Sequence, residues 1–160
     1  MPELSSETML LDTLRQIFAR DLNRLQQEIE LYEDEHRIWH VEQGIANSAG
    51  NLCLHLVGNL TTYISAELGG VAYTRDRDGE FSQKNIPRPE LIRQIEKTRA
   101  EVDQALSRLP ASALPAEYPL QVLENKTSTE YFLIHLATHL GYHLGQVNYH
   151  RRLLDAGSQA

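Results

Sequence analysis

The chain has 160 residues, with 41% hydrophobic and 23% charged side chains, which suits one globular domain spanning residues 1–160. Its net charge of −7, without a cluster of lysines and arginines, argues against nucleic-acid binding. The first residues show no basic region followed by an apolar run, and no run of about 18 apolar residues occurs, so we expect a cytoplasmic protein that does not enter a membrane. The single cysteine, Cys53, lies between two leucines and is predicted to be a buried thiol rather than a nucleophile.

Helical periodicity dominates the chain, and no strand is predicted. Apolar residues recur every three or four positions over about residues 5–30 and predict a first helix. A charged piece over residues 33–39 follows, frayed or separately helical. Asn47-Ser48 is typical of a helix start and Gly69-Gly70 of a helix end, so the second helix should span about residues 48–68. Residues 71–88 show no helical stripe and predict one long loop.

Two more helices follow the long loop. Pro89 favours the first turn of a third helix, over about residues 89–108, and the prolines from Pro110 to Pro119 interrupt the chain after it. Thr127 and Glu130 form a capping-box pattern that opens a fourth helix reaching about residue 154. Four helices with one apolar stripe each imply an all-α four-helix bundle, in which cofactor sites are built from side chains on facing helices.

Three histidines stand four residues apart in the fourth helix, at His135, His139 and His143. Neutral imidazoles at this spacing are neighbours and can turn their nitrogens toward one divalent cation. His55, in the middle of the second helix, is the third donor that such a site needs. Each four-residue step turns the stripe by roughly 40°, so two of the three should ligate and one should support. The spacing does not choose between His135/His139 and His139/His143.

Histidine on an apolar helix face is more often a core residue than a metal ligand. Four of them at matching depth in two helices would be costly to bury without partners, which favours the metal site. Glycines also stand near these histidines, which indicates either close approach of backbones, room for a ligand, or simply better contact between helices. These glycines are Gly50, Gly58, Gly141 and Gly145.

Polar residues on the two histidine helices are candidates for a pocket around the metal. Asn51 and Asn59 lie one turn either side of His55, where they either orient the imidazole and bind substrate or cap and bridge helices. Gln146 follows His143 by three residues and can hydrogen-bond a ligand or support the site. Tyr142 and Tyr149 can line the mouth, although tyrosines in helices are more often packing residues.

The loop after the second helix carries a dense polar cluster that includes Arg75, Arg77 and Glu80. There an arginine can clamp an anionic substrate and Glu80 can act as a base, or the group forms a solvated salt-bridge network. Trp39, the only tryptophan, is predicted to anchor the charged piece before the second helix. The remaining histidines have polar neighbours and are predicted to be surface residues: His36, His40 and His150.

The pattern His139-Leu-Gly-Tyr-His143-Leu-Gly-Gln146, together with a histidine in the middle of the second helix, resembles the DinB-like family of metal-binding four-helix-bundle proteins. The stretches 47–60 and 75–81 look like an uncharacterised bacterial branch of that family. The resemblance covers most of the chain, and the combined motif is more specific than any of its pieces.

This resemblance implies a metal held by His55, His139 and His143, with His135 left as a pocket or supporting residue. It also implies a homodimer. Family members often carry arginine after the last histidine, where this chain has Leu144, so any role of that arginine does not transfer.

Three nitrogen ligands leave coordination positions open, which is typical of catalytic rather than structural sites. A metal there makes hydrolysis or thiol transfer accessible near neutral pH. Bacillithiol transferases and the mycothiol-dependent maleylpyruvate isomerase, as related families, imply a low-molecular-weight thiol as the small-molecule substrate. We therefore expect a metal-dependent thiol S-transferase or hydrolase. The alternative is a noncatalytic metal-binding or protein-interaction module, because no nucleophile or base is unambiguous.

The metal itself is only partly constrained by the sequence. Imidazole ligands suit zinc and nickel, which we expect first, and also iron. A ferritin-like di-iron site is disfavoured, because the paired Glu-x-x-His motifs that hold two irons are not evident.

Overall fold

The computed structural model describes residues 5–155, and within this range the fold is all-helical, as the sequence predicts. A single isolated antiparallel bridge, between Glu117 and Ser128, is the only β pairing among these residues. None of the described helices combines the length and apolar character needed to span a membrane. The five α-helices are α1 (Ser6–Leu31), α2 (Ala49–Leu60), α3 (Arg77–Ser82), α4 (Arg88–Arg108) and α5 (Thr129–Leu154).

Helix α1 buries a continuous apolar stripe against α4 and α5. Its side chains recur at three- and four-residue spacing because one face of a helix turns inward at that period. Burying each of these side chains contributes about 1.5–3 kcal/mol, so the stripe accounts for much of the stability of this half of the fold. The stripe consists of Leu11, Leu14, Phe18, Leu22, Leu25 and Ile29.

Helix α2 is buried on almost every side because α3, α4 and α5 all pack against it. Ser48 caps its start, since the Ser48 hydroxyl accepts the backbone N–H of Asn51 at 3.1 Å. The helix continues through a π-helical turn over Thr61–Ala66 and stops at Gly70, whose φ of +73° favours glycine. The predicted second helix is thus confirmed, and it presents His55 to the interior.

Two local predictions are wrong. Residues 77–82 form the helix α3 instead of a loop: the Asp76 carboxylate caps it by accepting the N–H of Gly79 at 2.9 Å, and α2 supports it. Six residues are too few to show a periodic apolar stripe. The cap of α5 is Ser128, which accepts the N–H of Tyr131 at 3.1 Å, and not Thr127. The Thr127 carbonyl instead accepts a hydrogen bond from the backbone of Tyr118.

Trp39, at the end of the 3-10 turn Glu35–Trp39, is buried as predicted and covers the start of α2. A Cβ on Gly50 would lie 2.6 Å from the Trp39 ring, so this glycine permits a close approach. Gly141 and Gly145 have nothing within 4 Å of such a Cβ, and close approach is the wrong explanation for them. Cys53 is fully buried in α2, and burial raises the pKa of its thiol to about 12.

Candidate metal centre

Helices α2 and α5 bring three of the predicted histidines together, the buried His55 and the half-buried His139 and His143. One ring nitrogen from each lies within 4.8 Å of the other two. The Nε2 atom of His139 is 3.2 Å from Nε2 of His55 and 3.2 Å from Nε2 of His143. Two nitrogens held about 2.1 Å from one tetrahedral ion are about 3.4 Å apart, so this spacing fits a shared cation.

The hydrogen bonds of the Nδ1 atoms determine the tautomer of each ring, and therefore whether Nε2 carries a proton or a lone pair. His55 Nδ1 lies 3.1 Å from a Glu80 carboxylate oxygen, and His143 Nδ1 lies 2.6 Å from the Gln146 amide oxygen. Both oxygens are acceptors, so in each neutral ring Nδ1 carries the proton and Nε2 a lone pair. Both lone pairs face His139 Nε2, which has at most one proton to donate. Hydrogen bonds among the three rings therefore cannot satisfy all three Nε2 atoms, whereas a divalent cation can.

The His139 ring is held in its neutral, metal-binding form. Burial, followed by the neighbouring charges of His143 and His55, lowers the pKa of His139 to about 4. Burial also lowers the pKa of His143, although the hydrogen bond to Gln146 opposes the shift. His139 Nδ1 is buried and has no hydrogen-bond partner within residues 5–155. The ring thus lacks the support that its two neighbours have.

Glu80 and Arg75 form a buried pair behind His55. The guanidinium of Arg75 donates to both carboxylate oxygens of Glu80, at 2.8 and 2.9 Å, and Glu80 is only 6% exposed. Burial raises the pKa of Glu80, but the hydrogen bonds from His55 and Arg75 and the charge of Arg75 outweigh it, so the pKa lies below its ordinary value. Glu80 is consequently an ionised acceptor occupied by two partners, which fits neither a free base nor a solvated network.

The two asparagines of α2 differ in their surroundings. Asn51 bridges elements: its amide donates to the backbone carbonyls of Glu80 and Gln83, both at 2.9 Å. Asn59, one turn beyond His55, is 8% exposed, and its side-chain oxygen has no hydrogen-bond partner among the described residues. Asn51 thus belongs to the support of α3, while Asn59 keeps a free acceptor.

His135 stays outside the cluster of three nitrogens. Its ring stacks 6.3 Å from the His139 ring and 5.9 Å from the Phe132 ring, as centroid distances. Of the two pairs that spacing left open, the structure brings His139 and His143 to His55. Tyr142, 66% exposed, lies 5.2 Å from the His143 ring at the rim of the site.

Phe81 contacts the site but was not among the predicted residues. Its ring centroid lies 5.0 Å from that of His55, and the exposed guanidinium of Arg77 lies 5.6 Å from the Phe81 ring centroid. Arg77 forms no ion pair with any residue from 5 to 155. The sequence signal for this contact was the position of Phe81 directly after Glu80. A single aromatic residue in a polar cluster indicates that its ring packs against another part of the fold.

Residues 5–159 match the family described as "Protein of unknown function (DUF1572)". The chain belongs to this family. The match includes all of the site residues, from Asn51 to Gln146. No curated protein matches the chain.

A second buried histidine of this DUF1572 chain was wrongly predicted to be a surface residue. His150 is 6% exposed; the Tyr32 hydroxyl lies 2.6 Å from its Nδ1, and its Nε2 lies 2.8 Å from the His40 carbonyl oxygen. The carbonyl can only accept, so Nε2 donates to it and Nδ1 accepts from Tyr32. Polar sequence neighbours hid this position, but it continues the inward face of α5 three residues after the buried Val147.

Proposed function

We propose that this DUF1572 protein binds one divalent metal ion through His55, His139 and His143 and uses it as a metal-dependent enzyme of the thiol S-transferase or hydrolase type. One observation carries the metal proposal: two Nε2 lone pairs face a third Nε2 that can satisfy only one of them. The arrangement of α1, α2, α4 and α5, with the histidines on two of them, supports a DinB-like four-helix bundle to which α3 is added.

The donor set suits zinc or nickel first and iron as well, and it leaves coordination positions free for a small molecule. When bound, such a metal lowers the pKa of a water or thiol beside it and polarises a carbonyl group. The chain's own part is to keep His139 neutral, to hold His55 through Glu80, and to shield one side of His55 with Phe81.

Arg77 is the residue we assign to substrate recognition. The guanidinium of Arg75 is hydrogen-bonded to Glu80. Arg77, in contrast, is exposed, lies over the Phe81 ring and has no acidic partner within residues 5–155. A guanidinium in that position suits a carboxylate or another anionic group of a low-molecular-weight thiol. Substituting Arg77 by glutamine should therefore raise KM for anionic thiols and leave KM for neutral thiols unchanged.

The test begins with metal content, measured by mass spectrometry on untagged protein. We expect near-stoichiometric metal in the wild type and loss of metal in His55→Ala and His139→Ala, with His36→Ala as an exposed-histidine control. The metal-loaded protein is then assayed with thiols plus electrophiles and with ester and amide substrates. Metal-free wild type that folds normally would overturn the metal proposal, and full turnover in His139→Ala would overturn the catalytic one.

A noncatalytic metal-binding or protein-interaction module is the second candidate, and one observation favours it. Glu80, the carboxylate hydrogen-bonded to the histidine cluster, is already held by Arg75 and His55 and cannot readily accept a substrate proton. A module of this kind would bind metal and gain stability from it, while none of the thiol or hydrolase substrates would turn over.

A further inference from the structure

A line of buried contacts connects the start of α2 to the metal-facing histidine through α3. Asn51 donates to the backbone carbonyls of Glu80 and Gln83, while the Glu80 side chain accepts from His55 one turn further along α2. The same face of α2 therefore contacts α3 at two points. The contact at Glu80 includes a histidine of the cluster, His55, whereas the contact at Asn51 does not.

The surface of α2 is shaped to receive the Glu80 carboxylate. Gly58 follows His55 by three residues, and a Cβ at this position would overlap the carboxylate. Glycine inside a helix costs up to about 1 kcal/mol relative to alanine, so its presence is explained by the space that it leaves. Any side chain at position 58 would displace Glu80 from His55.

Arg75 fixes the carboxylate from the other side. Its two hydrogen bonds to Glu80 leave the carboxylate oxygens little freedom to rotate, and one of these oxygens also faces His55 Nδ1. Carboxylates that accept the outer N–H of a ligating histidine fix its tautomer and orientation and increase its basicity. Here that carboxylate comes from α3, a six-residue helix that needs α2 to support it.

We propose that α3 is the positioning element of the histidine site, with Glu80 holding His55 in its Nδ1–H form and Asn51 holding Glu80 in place. Docking of residues 75–83 on α2 and binding of a divalent cation then favour each other, because two linked equilibria must affect one another equally. The cation half of this statement rests on the proposed function. The tautomer half concerns the metal-free chain alone.

The coupling is tested with Zn²⁺, whose affinity is measured by competition with a chromophoric chelator. Glu80→Gln should weaken Zn²⁺ binding by about tenfold to a hundredfold, and Asn51→Ala should weaken it by about tenfold although Asn51 contacts no histidine. Asn148→Ala is the matched control, because its amide also bridges two helices, donating to Glu28 at 2.7 Å, but takes no part in the α3 contacts. Unchanged affinity in Asn51→Ala would overturn the coupling.

Hydrogen exchange gives the reciprocal measurement. Zn²⁺ should slow exchange of the amides of residues 79–83 in the wild type and should not do so in Glu80→Ala, which has no acceptor for His55. Equal protection of these amides in both proteins would contradict the proposed link. Thermal unfolding of each variant, followed by circular dichroism, identifies any variant that has failed to fold. Glu80→Asp, which keeps a carboxylate, should recover part of the Zn²⁺ affinity.

The tautomer is measured in the metal-free protein by long-range ¹H–¹⁵N spectra of the histidine rings. The His55 ring should be in the Nδ1–H form in the wild type, should leave it in Glu80→Ala, where no acceptor remains, and should become mixed in Asn51→Ala. A wild type that binds no Zn²⁺ would contradict the proposed function and the coupling together. The His55 spectrum would then decide the positioning role of Glu80 separately, since an unchanged tautomer in Glu80→Ala would overturn it.

Discussion

His150 and the cluster of His55, His139 and His143 differ in whether the protein satisfies the hydrogen bonds of their ring nitrogens. At His150 each nitrogen has one protein partner of the right kind, the Tyr32 hydroxyl and the His40 carbonyl. At His55, His139 and His143 the inner nitrogens face each other, and their protons cannot satisfy them all. Burial does not separate His55 from His150, since they are 8% and 6% exposed, while His139 and His143 are half-buried. The number of protons available for hydrogen bonds to the ring nitrogens separates them, and it distinguishes a structural histidine from a candidate ligand.

The largest difference between the two groups should appear in metal binding. His139→Ala removes the nitrogen shared by both short contacts, so we expect the affinity for Zn²⁺ to fall by at least about 100-fold. His150→Ala should bind Zn²⁺ with wild-type affinity. Calorimetric titration of both variants measures this, and a comparable loss in His150→Ala would remove the distinction.

Stability should show the reverse order. His150→Ala leaves the buried Tyr32 hydroxyl and the His40 carbonyl without partners and opens a cavity, so the free energy of unfolding should fall by about 2–4 kcal/mol. His139→Ala in metal-free protein should cost less, because its Nδ1 has no partner to lose. Urea unfolding of the metal-free proteins gives both values, and equal losses would contradict the comparison.

The pH dependence of stability sharpens the contrast further. The pKa of His139 is lowered to about 4 in the folded chain, so between pH 6.5 and about 4 the unfolded chain holds the extra proton. The free energy of unfolding of metal-free wild type should therefore fall as the pH is lowered through this window, and the contribution of His139 should level off below pH 4. We expect about 1–3 kcal/mol from this residue.

The matched control for this pH effect is His139→Ala, in which that contribution is absent. Burial also lowers the pKa values of His143 and His150, so a smaller decline with falling pH should remain in the variant. Identical pH profiles for wild type and His139→Ala in urea unfolding would show that His139 is not the group responsible.

The smallest expected effects come from two glycines, one on each histidine helix. Gly58→Ala should displace Glu80 and weaken Zn²⁺ binding by about tenfold. Gly141→Ala places a methyl group where nothing lies within 4 Å, so it should stabilise the protein by up to about 1 kcal/mol and leave Zn²⁺ affinity unchanged. Thermal unfolding measures the stability of both variants, and chelator competition measures their Zn²⁺ affinity. Wild-type affinity in Gly58→Ala, or weakened affinity in Gly141→Ala, would contradict the geometry.

Long elements with a repeating pattern were predictable from the sequence. The histidine spacing on α5 and the apolar surroundings of His55 predicted which helices carry the site. The spacing did not choose between His135 and His143, because that choice depends on how α5 is rotated against α2. The buried positions Leu136, Leu140 and Val147 determine this rotation through contacts with other helices.

Short elements that depend on distant contacts were not predictable. Helix α3 is capped by Asp76 but is supported by α2, and six residues show no period of their own. The role of Glu80 was missed for the same reason, since it depends on a residue 25 positions earlier. The burial of His150 depends on contacts with the chain near Tyr32 and His40, which its polar sequence neighbours do not reveal.

The burial of Cys53 has a practical consequence for enzymology. Its thiol is fully enclosed in α2, and a pKa of about 12 leaves almost no thiolate at neutral pH. Because this buried cysteine is the single one in the chain, the native protein should not react with disulfide reagents or alkylating agents. Consumption of an added thiol can therefore be followed colorimetrically at high enzyme concentration without a background from the protein itself.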